Sequence, residues 1–161
     1  MTRLSKSPVL LALSASLGFG TPSFAAETSF AYKTSFRNVT KDPDSIWSGQ
    51  DLAPTSKGTV TIHEYELKTA RGDWLVSQIW NADCSTGTCL TRLVQVDGNG
   101  GRKILVEEMM HQIIPPDGSR FAGATTSKEQ AAFAQHPFLL SADGKTLING
   151  DFRFPIAGAR P

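Results

Sequence analysis

Cys84 and Cys89 are the residues whose types and spacing most directly indicate chemistry, because they are the two cysteines of the chain and lie close together. A close, even pair in a chain that enters an oxidising compartment favours a disulfide. A redox pair is typically Cys-x-x-Cys at the start of a helix, whereas this Cys-x4-Cys lies in strand-like sequence. A metal site requires further Cys or His ligands, and none lies nearby in sequence. We therefore predict a structural disulfide and leave the redox and metal alternatives open.

A second group of potential ligands lies in one short stretch. Glu107, Met109 and His111 alternate, which places them on one face of a strand, and Met110 adds a thioether beside them. Thioether sulfur and imidazole nitrogen are ligands that copper accepts. The methionines are also typical of core packing. The stretch therefore supports an alternative function, an envelope ligand-binding or copper-binding protein, while we assign neither a metal ligand nor a cofactor.

Residues suited to acid–base or nucleophilic catalysis do not form a recognisable motif. The chain has three histidines, His63, His111 and His136. No Gly-x-Ser-x-Gly nucleophile motif accompanies them. Glu107 and Glu108 are adjacent on a predicted strand and so point to opposite faces, where they cannot act together. Glu64 and Glu66 share a face, which we interpret as a solvated strand face. We predict that the protein is not an enzyme.

The two cysteines lie between segments that favour strands. Residues 74–80 and 90–96 are rich in aromatic and β-branched side chains, and residues 85–88 between the cysteines are small and favour a turn. The pattern predicts a β-hairpin whose tip is clamped by the disulfide. So short a loop adds only about 2 kcal/mol of stability, so the bond mainly fixes the shape of the tip. Both a presented binding loop and a simple staple fit this arrangement.

The rest of the chain predicts antiparallel strands joined by turns. Thr126 and Glu129 have the spacing of a capping box, so one short helix is predicted to begin there and to end before Pro137. Alternating apolar runs predict strands at 30–39, 59–67, 74–80, 90–96, 102–114, 138–140, 146–148 and 152–154. The expected fold class is α+β, mainly an antiparallel sheet of hairpins and a meander, with one short helix.

Residues 1–26 have the pattern of a secretory signal peptide. Arg3 and Lys6 precede an apolar stretch, and small residues up to Ala25 form a cleavage site. The apolar stretch is shorter than the roughly 20 residues that a membrane span needs. We expect cleavage there, a single domain over 27–161, no membrane span, and a periplasmic or secreted location. The formal net charge is +1 with no basic cluster, which argues against nucleic acid as a partner.

The region around the cysteines resembles the Ivy-type periplasmic inhibitors of C-type lysozyme. The resemblance rests on Val76-Ser77, the Cys-x4-Cys loop and Arg92-Leu93-Val94. A later segment, Leu140-Ser141-Ala142-Asp143-Gly144-Lys145-Thr146, is similar to the Leu-Ser-x-Asp-Gly-Lys-Thr segment of those inhibitors. The matching pieces cover about a third of the chain that follows the signal peptide.

This resemblance implies a binding or inhibitory module with a C-type lysozyme, or another envelope protein, as its partner. The residues that the loop would present to the partner are Asp83, Ser85, Thr86, Gly87 and Thr88. In the family the loop carries Lys-Pro-His-Asp, and its histidine is expected to meet the acidic catalytic residues of lysozyme. Here the loop offers hydroxyls and a glycine in place of the imidazole, a departure that bears on activity more than on fold.

Overall fold

The computed structural model describes residues 26–53, 59–69, 72–81, 83–85, 87–113 and 136–157. These residues form strands arranged in two antiparallel sheets. The strands are β1 (Thr28–Ser29), β2 (Ala31–Arg37), β3 (Thr61–Thr69), β4 (Gly72–Trp80), β5 (Thr88–Val96), β6 (Arg102–His111), β7 (Phe138–Leu140), β8 (Thr146–Asn149) and β9 (Phe152–Pro155). The predicted antiparallel architecture is therefore confirmed.

The larger sheet is a five-stranded meander in the order β2-β3-β4-β5-β6. Each strand pairs with the next one along the chain, as the turn signals and the alternation of apolar residues predict. The meander expected from β4 to β6 is confirmed, and it extends through β3 to β2. A register shift between Leu93 and Val94 of β5 places a bulge at Leu105 of β6.

The smaller sheet has the order β1-β7-β8-β9 and joins the two ends of the described chain. Thr28 pairs with Leu140, and the amide of Phe30 donates to the carbonyl of Phe138 at 2.9 Å. Phe30 is buried at the point where the chain passes from β1 in this sheet to β2 in the larger one. One short stretch of sequence thus contributes to both sheets.

Apolar side chains pack on both faces of the five-stranded sheet. One cluster lies between the two sheets and includes Tyr65, Val76, Leu93 and Phe138. The second cluster lies on the other face, under residues 38–53, and includes Trp47. We call residues 38–53 the covering segment. Since the inner strands β3 and β4 are largely buried on both faces, polar residues in them are removed from water and need partners within the protein.

Two predicted segments cannot be compared with the structure. The short helix beginning at Thr126 lies outside the described residues, and those that are described include no helix. Residues 1–25 of the predicted signal peptide are also outside them. Within the described part of the chain, no helix has the length and apolar character needed to cross a bilayer.

Candidate functional site at the disulfide tip

Cys84 and Cys89 form the predicted disulfide at the tip of the β4–β5 hairpin, with their Cα atoms 4.4 Å apart. Cys89 is completely buried at the start of β5, whereas Cys84 is half-buried. The amide of Cys84 donates to the carbonyl of Asn81 at 3.3 Å, which turns the chain directly after β4. The bond therefore anchors the tip to the sheet.

The end of β6 holds the tip from a second side. The amide of Gln112 donates to the carbonyl of Gly87 at 2.9 Å, and its side-chain Nε2 lies 3.0 Å from the sulfur of Cys89. Gly87 is buried and has φ of 79°, a conformation that side chains with a Cβ rarely adopt. A hydrogen bond also joins the hydroxyls of Ser85 and Thr88. The backbone of the tip is thus fixed by covalent and hydrogen bonds.

The residues predicted to form the partner-binding loop differ in exposure. Asp83 and Ser85 are exposed, Thr88 is half-buried, and Gly87 is buried with its carbonyl already bound. Thr86 lies outside the described residues. Asp83 and Ser85 are therefore the described tip residues best placed to contact another molecule.

A cleft of about 300 Å³ lies beside the tip. Leu90 and Met109 are opposite each other on β5 and β6, and with Ile79 of β4 they form its apolar floor. Its other lining residues are polar or small: Gln50, Asp51 and Ala53 from the covering segment, and Asn81 and Asp83 from the tip. Asp83 belongs to both the tip and the cleft, so one partner can contact both.

The side chains considered as copper ligands, Met109, Met110 and His111, lie in three different environments. Met109 lines the cleft, whereas Met110 is buried between the sheets. His111 stacks between His136 and Phe152, with centroid distances of 4.7 and 4.6 Å. Its Nε2 lies 2.9 Å from a carboxylate oxygen of Asp151. Among the described residues, no three His, Cys, Asp or Glu side chains are grouped so that they could hold a metal ion.

A charged cluster lies beneath the covering segment. Glu64 of β3 is completely buried, and the ammonium of Lys33 lies 2.8 Å from it and 2.9 Å from Asp44. Arg102 contacts the other oxygen of Asp44 at 2.6 Å. Burial raises the pKa of Glu64 to about 7, which the ammonium of Lys33 only partly opposes. Burial opposes ionisation of Asp44 too, but bonds with Lys33 and Glu64 outweigh it and lower its pKa.

Arg92 of β5 is the centre of a second group of charged contacts under the covering segment. Its guanidinium donates to the carbonyl of Ile46 at 2.6 Å, lies 3.4 Å from Asp51, and contacts Glu107 on β6. It also lies over the ring of Trp47, 4.2 Å from the centroid. A cation with this many partners fixes the covering segment, and with it one wall of the cleft, against the sheet.

Comparison with protein-family models, curated proteins and solved structures finds no match for this chain. The resemblance to Ivy-type inhibitors therefore stays a prediction.

Sequence reasoning misses the charged cluster. The interpretation of Glu64 as a solvated residue is wrong, since its side chain is fully buried. Val60 and Ile62 precede it on the same face of the strand, and this apolar pattern is a signal that the face is covered. Lys33 and Asp44 come from distant parts of the sequence, so no local motif identifies them as its partners.

Proposed function

We propose that this chain is an exported, periplasmic binding module that uses the disulfide tip and the adjoining cleft to bind another envelope protein, with a C-type lysozyme as the partner that the sequence resemblance implies. The observation that carries the proposal is that Asp83 and Ser85 are exposed on a tip whose backbone is held at Cys89 and Gly87. Export and cleavage of residues 1–26 are part of the proposal.

The fixed backbone supports binding through entropy. Ordering a loop side chain on association costs about 0.5–1.5 kcal/mol, and a tip that is ordered beforehand avoids much of the corresponding backbone cost. The disulfide and the Gln112–Gly87 hydrogen bond both act on this tip. Binding should therefore depend on the disulfide more strongly than the stability of the fold does.

The chemistry of the tip suits a cleft lined by carboxyl groups only in part. Lysozyme-type sites contain a pair of carboxylic residues, and the hydroxyl of Ser85 can donate a hydrogen bond to one of them. The carboxylate of Asp83 would instead repel an ionised carboxylate. Removing the charge with Asp83→Asn should therefore strengthen inhibition, while Ser85→Ala should weaken it.

A muramidase assay with the mature, oxidised protein tests the proposal. We expect the wild type to inhibit a C-type lysozyme and Ser85→Ala to inhibit it more weakly. Ser29→Ala, which changes a control serine exposed on β1, should leave the inhibition constant unchanged. Cys84→Ser combined with Cys89→Ser should reduce inhibition well beyond the loss of about 2 kcal/mol in stability expected for so short a loop. Wild-type protein that neither binds nor inhibits any C-type lysozyme would remove this partner.

The cleft itself favours a second candidate function, the binding of a small envelope ligand. Its floor is apolar, and Asp51 and Asp83 lie at its sides, so it suits an apolar group that carries a positive charge. In that case Asp83→Asn should weaken binding, the opposite of its effect on lysozyme inhibition. Calorimetric titration with a hydrophobic amine, comparing wild type with Asp83→Asn, tests this alternative.

A further inference from the structure

β6 is an edge strand of the five-stranded sheet, and among the described strands only β5 pairs with it. It is ten residues long, which is at the upper end of the usual range for a strand. The large apolar side chains that are exposed in the described structure, Ile104 at 46% and Met109 at 39%, both belong to it. Long edges with exposed apolar residues are surfaces to which another strand can add.

The charges of β6 are separated by sign. Arg102 and Lys103 begin the strand, and Glu107 and Glu108 lie in its second half. In an antiparallel pair of two identical strands, the first half of each strand lies opposite the second half of the other. Charges of a single sign would oppose such pairing, whereas this distribution places opposite signs across from each other.

The bulge at Leu105 allows a pairing of two β6 strands in which opposite charges face each other. Lys103 is opposite Gln95 and Glu108 is opposite Thr91 on β5, so both lie on the same face of the sheet although five positions separate them. Without the extra residue they would lie on opposite faces. If two copies of β6 pair antiparallel around a two-fold axis between Leu105 and Val106, Lys103 of each copy lies opposite Glu108 of the other. The two bulges then lie next to each other at the axis.

Lys103 and Glu108 are also available for such contacts. Both are exposed, and neither has an ion-pair partner among the described residues. In contrast, Arg102 is bound to Asp44 and Glu107 to Arg92. The two residues that would face each other between copies are thus the two charges of this strand that have no ion pair with a described residue.

We infer that β6 pairs antiparallel with β6 of a second copy of this chain, in the register that joins Lys103 to Glu108 of the other copy, so that two five-stranded sheets become one continuous sheet. The occupant of the edge is a second copy because the charge pattern complements itself. This inference does not depend on the proposed function.

Sedimentation velocity of the mature, oxidised protein over a range of concentrations tests the inference. We expect a concentration-dependent dimer. Lys103→Glu alone and Glu108→Lys alone should each weaken dimerisation by about tenfold or more, because two attractive pairs become two repulsive pairs. Lys41→Glu, which reverses an exposed charge in the covering segment, is the matched control and should leave the dimer unchanged.

Mixing the two single variants is the decisive arm. In a mixed dimer, Glu at position 103 faces Lys at position 108, and Lys103 of the other copy faces the native Glu108, so both pairs are restored. Dimerisation should return to the wild-type level, which also shows that both variants are folded. A wild-type monomer at every concentration, a dimer that tolerates both reversals, or a mixture that stays monomeric would each overturn the inference.

Discussion

Each face of the five-stranded sheet has a row of polar side chains that runs across neighbouring strands. The side chains of one row bind mainly to each other, and those of the other row bind mainly to the covering segment. Both rows cross neighbouring strands at directly paired positions. The charged row consists of Glu64, Ser77, Arg92 and Glu107, and the neutral row consists of Ser35, His63, Gln78 and Thr91. Adjacent positions along each strand thus contribute to opposite faces.

The neutral row is connected largely through its own members. Ser35 and His63 share a hydrogen bond of 2.6 Å, and the ring of His63 lies 4.1 Å from that of Trp80. Gln78 donates to Thr91 at 2.8 Å and accepts from the indole of Trp80 at 2.8 Å. These hydrogen bonds and the ring contact tie β2, β3, β4 and β5 to one another.

The charged row is connected through the covering segment. Glu64 meets Asp44 through the ammonium of Lys33, and Arg92 binds the carbonyl of Ile46 and lies over Trp47. Ser77 accepts a hydrogen bond of 2.8 Å from the indole of Trp47. The neutral row therefore holds the strands together. The charged row holds the covering segment, and with it one wall of the cleft, against the sheet.

The largest effect should come from Arg92→Met. Arg92 is half-buried, and the substitution removes its hydrogen bond to the carbonyl of Ile46 and its contact with the ring of Trp47. Since a hydrogen bond to a charged group is worth about 1.5–3 kcal/mol and a cation–π contact about 0.5–2 kcal/mol, we expect a loss of about 2–4 kcal/mol. Urea denaturation should show this loss in the free energy of unfolding. Limited trypsin digestion should also cut after Lys41, since the covering segment is then free to open.

A loss of stability without faster cleavage after Lys41 would contradict the role assigned to the charged row. It would mean that Arg92 stabilises the sheet in the same way as a residue of the neutral row. The matched comparison is therefore cleavage of this variant against a neutral-row variant of similar stability.

The next effect concerns pH. The pKa of Glu64 is about 7 in the folded protein against 4.5 for the ordinary carboxyl. Between these values the folded state keeps a proton that the unfolded state has lost, so the free energy of unfolding falls as pH rises through this window. The fall amounts to about 3 kcal/mol at most, from 1.36 kcal/mol per pKa unit.

Glu64→Gln should remove this part of the pH dependence, because a neutral amide cannot ionise. The variant should match the wild type below pH 4.5 and exceed its stability above pH 7. Lys33→Met should do the reverse: it removes the cation that favours ionised Glu64, so the pKa of Glu64 rises further and the fall becomes larger and extends to higher pH. Denaturation curves across this range decide the matter, and parallel pH profiles for all three proteins would exclude a titrating Glu64.

Much of the fold is predictable from the sequence because strands and turns leave local patterns. The strand-like segments at 74–80 and 90–96, with the turn-forming residues 85–88 between them, predict β4, β5 and their pairing, and the two cysteines predict the disulfide. Pairing of β1 with β7 is not predictable in this way, because it joins residues far apart in sequence. Burial of Glu64 depends on a covering segment whose position is set by tertiary contacts, so alternation alone identifies the face but not what covers it.

The smallest of these effects should come from Gln78→Met, which tests the neutral row. The substitution keeps the size of the side chain but removes the amide that links Thr91, Trp80 and the carbonyl of His111. Leaving buried polar groups without a bond costs about 1–3 kcal/mol, and we expect a loss of about 2 kcal/mol in urea denaturation. Because this row makes its bonds within the sheet, cleavage by trypsin after Lys41 should stay at the wild-type rate after correction for global unfolding. Faster cleavage at Lys41 in Gln78→Met than in an equally destabilised core variant such as Leu93→Ala would show that the two rows are not independent, and the contrast between the two faces would then fail.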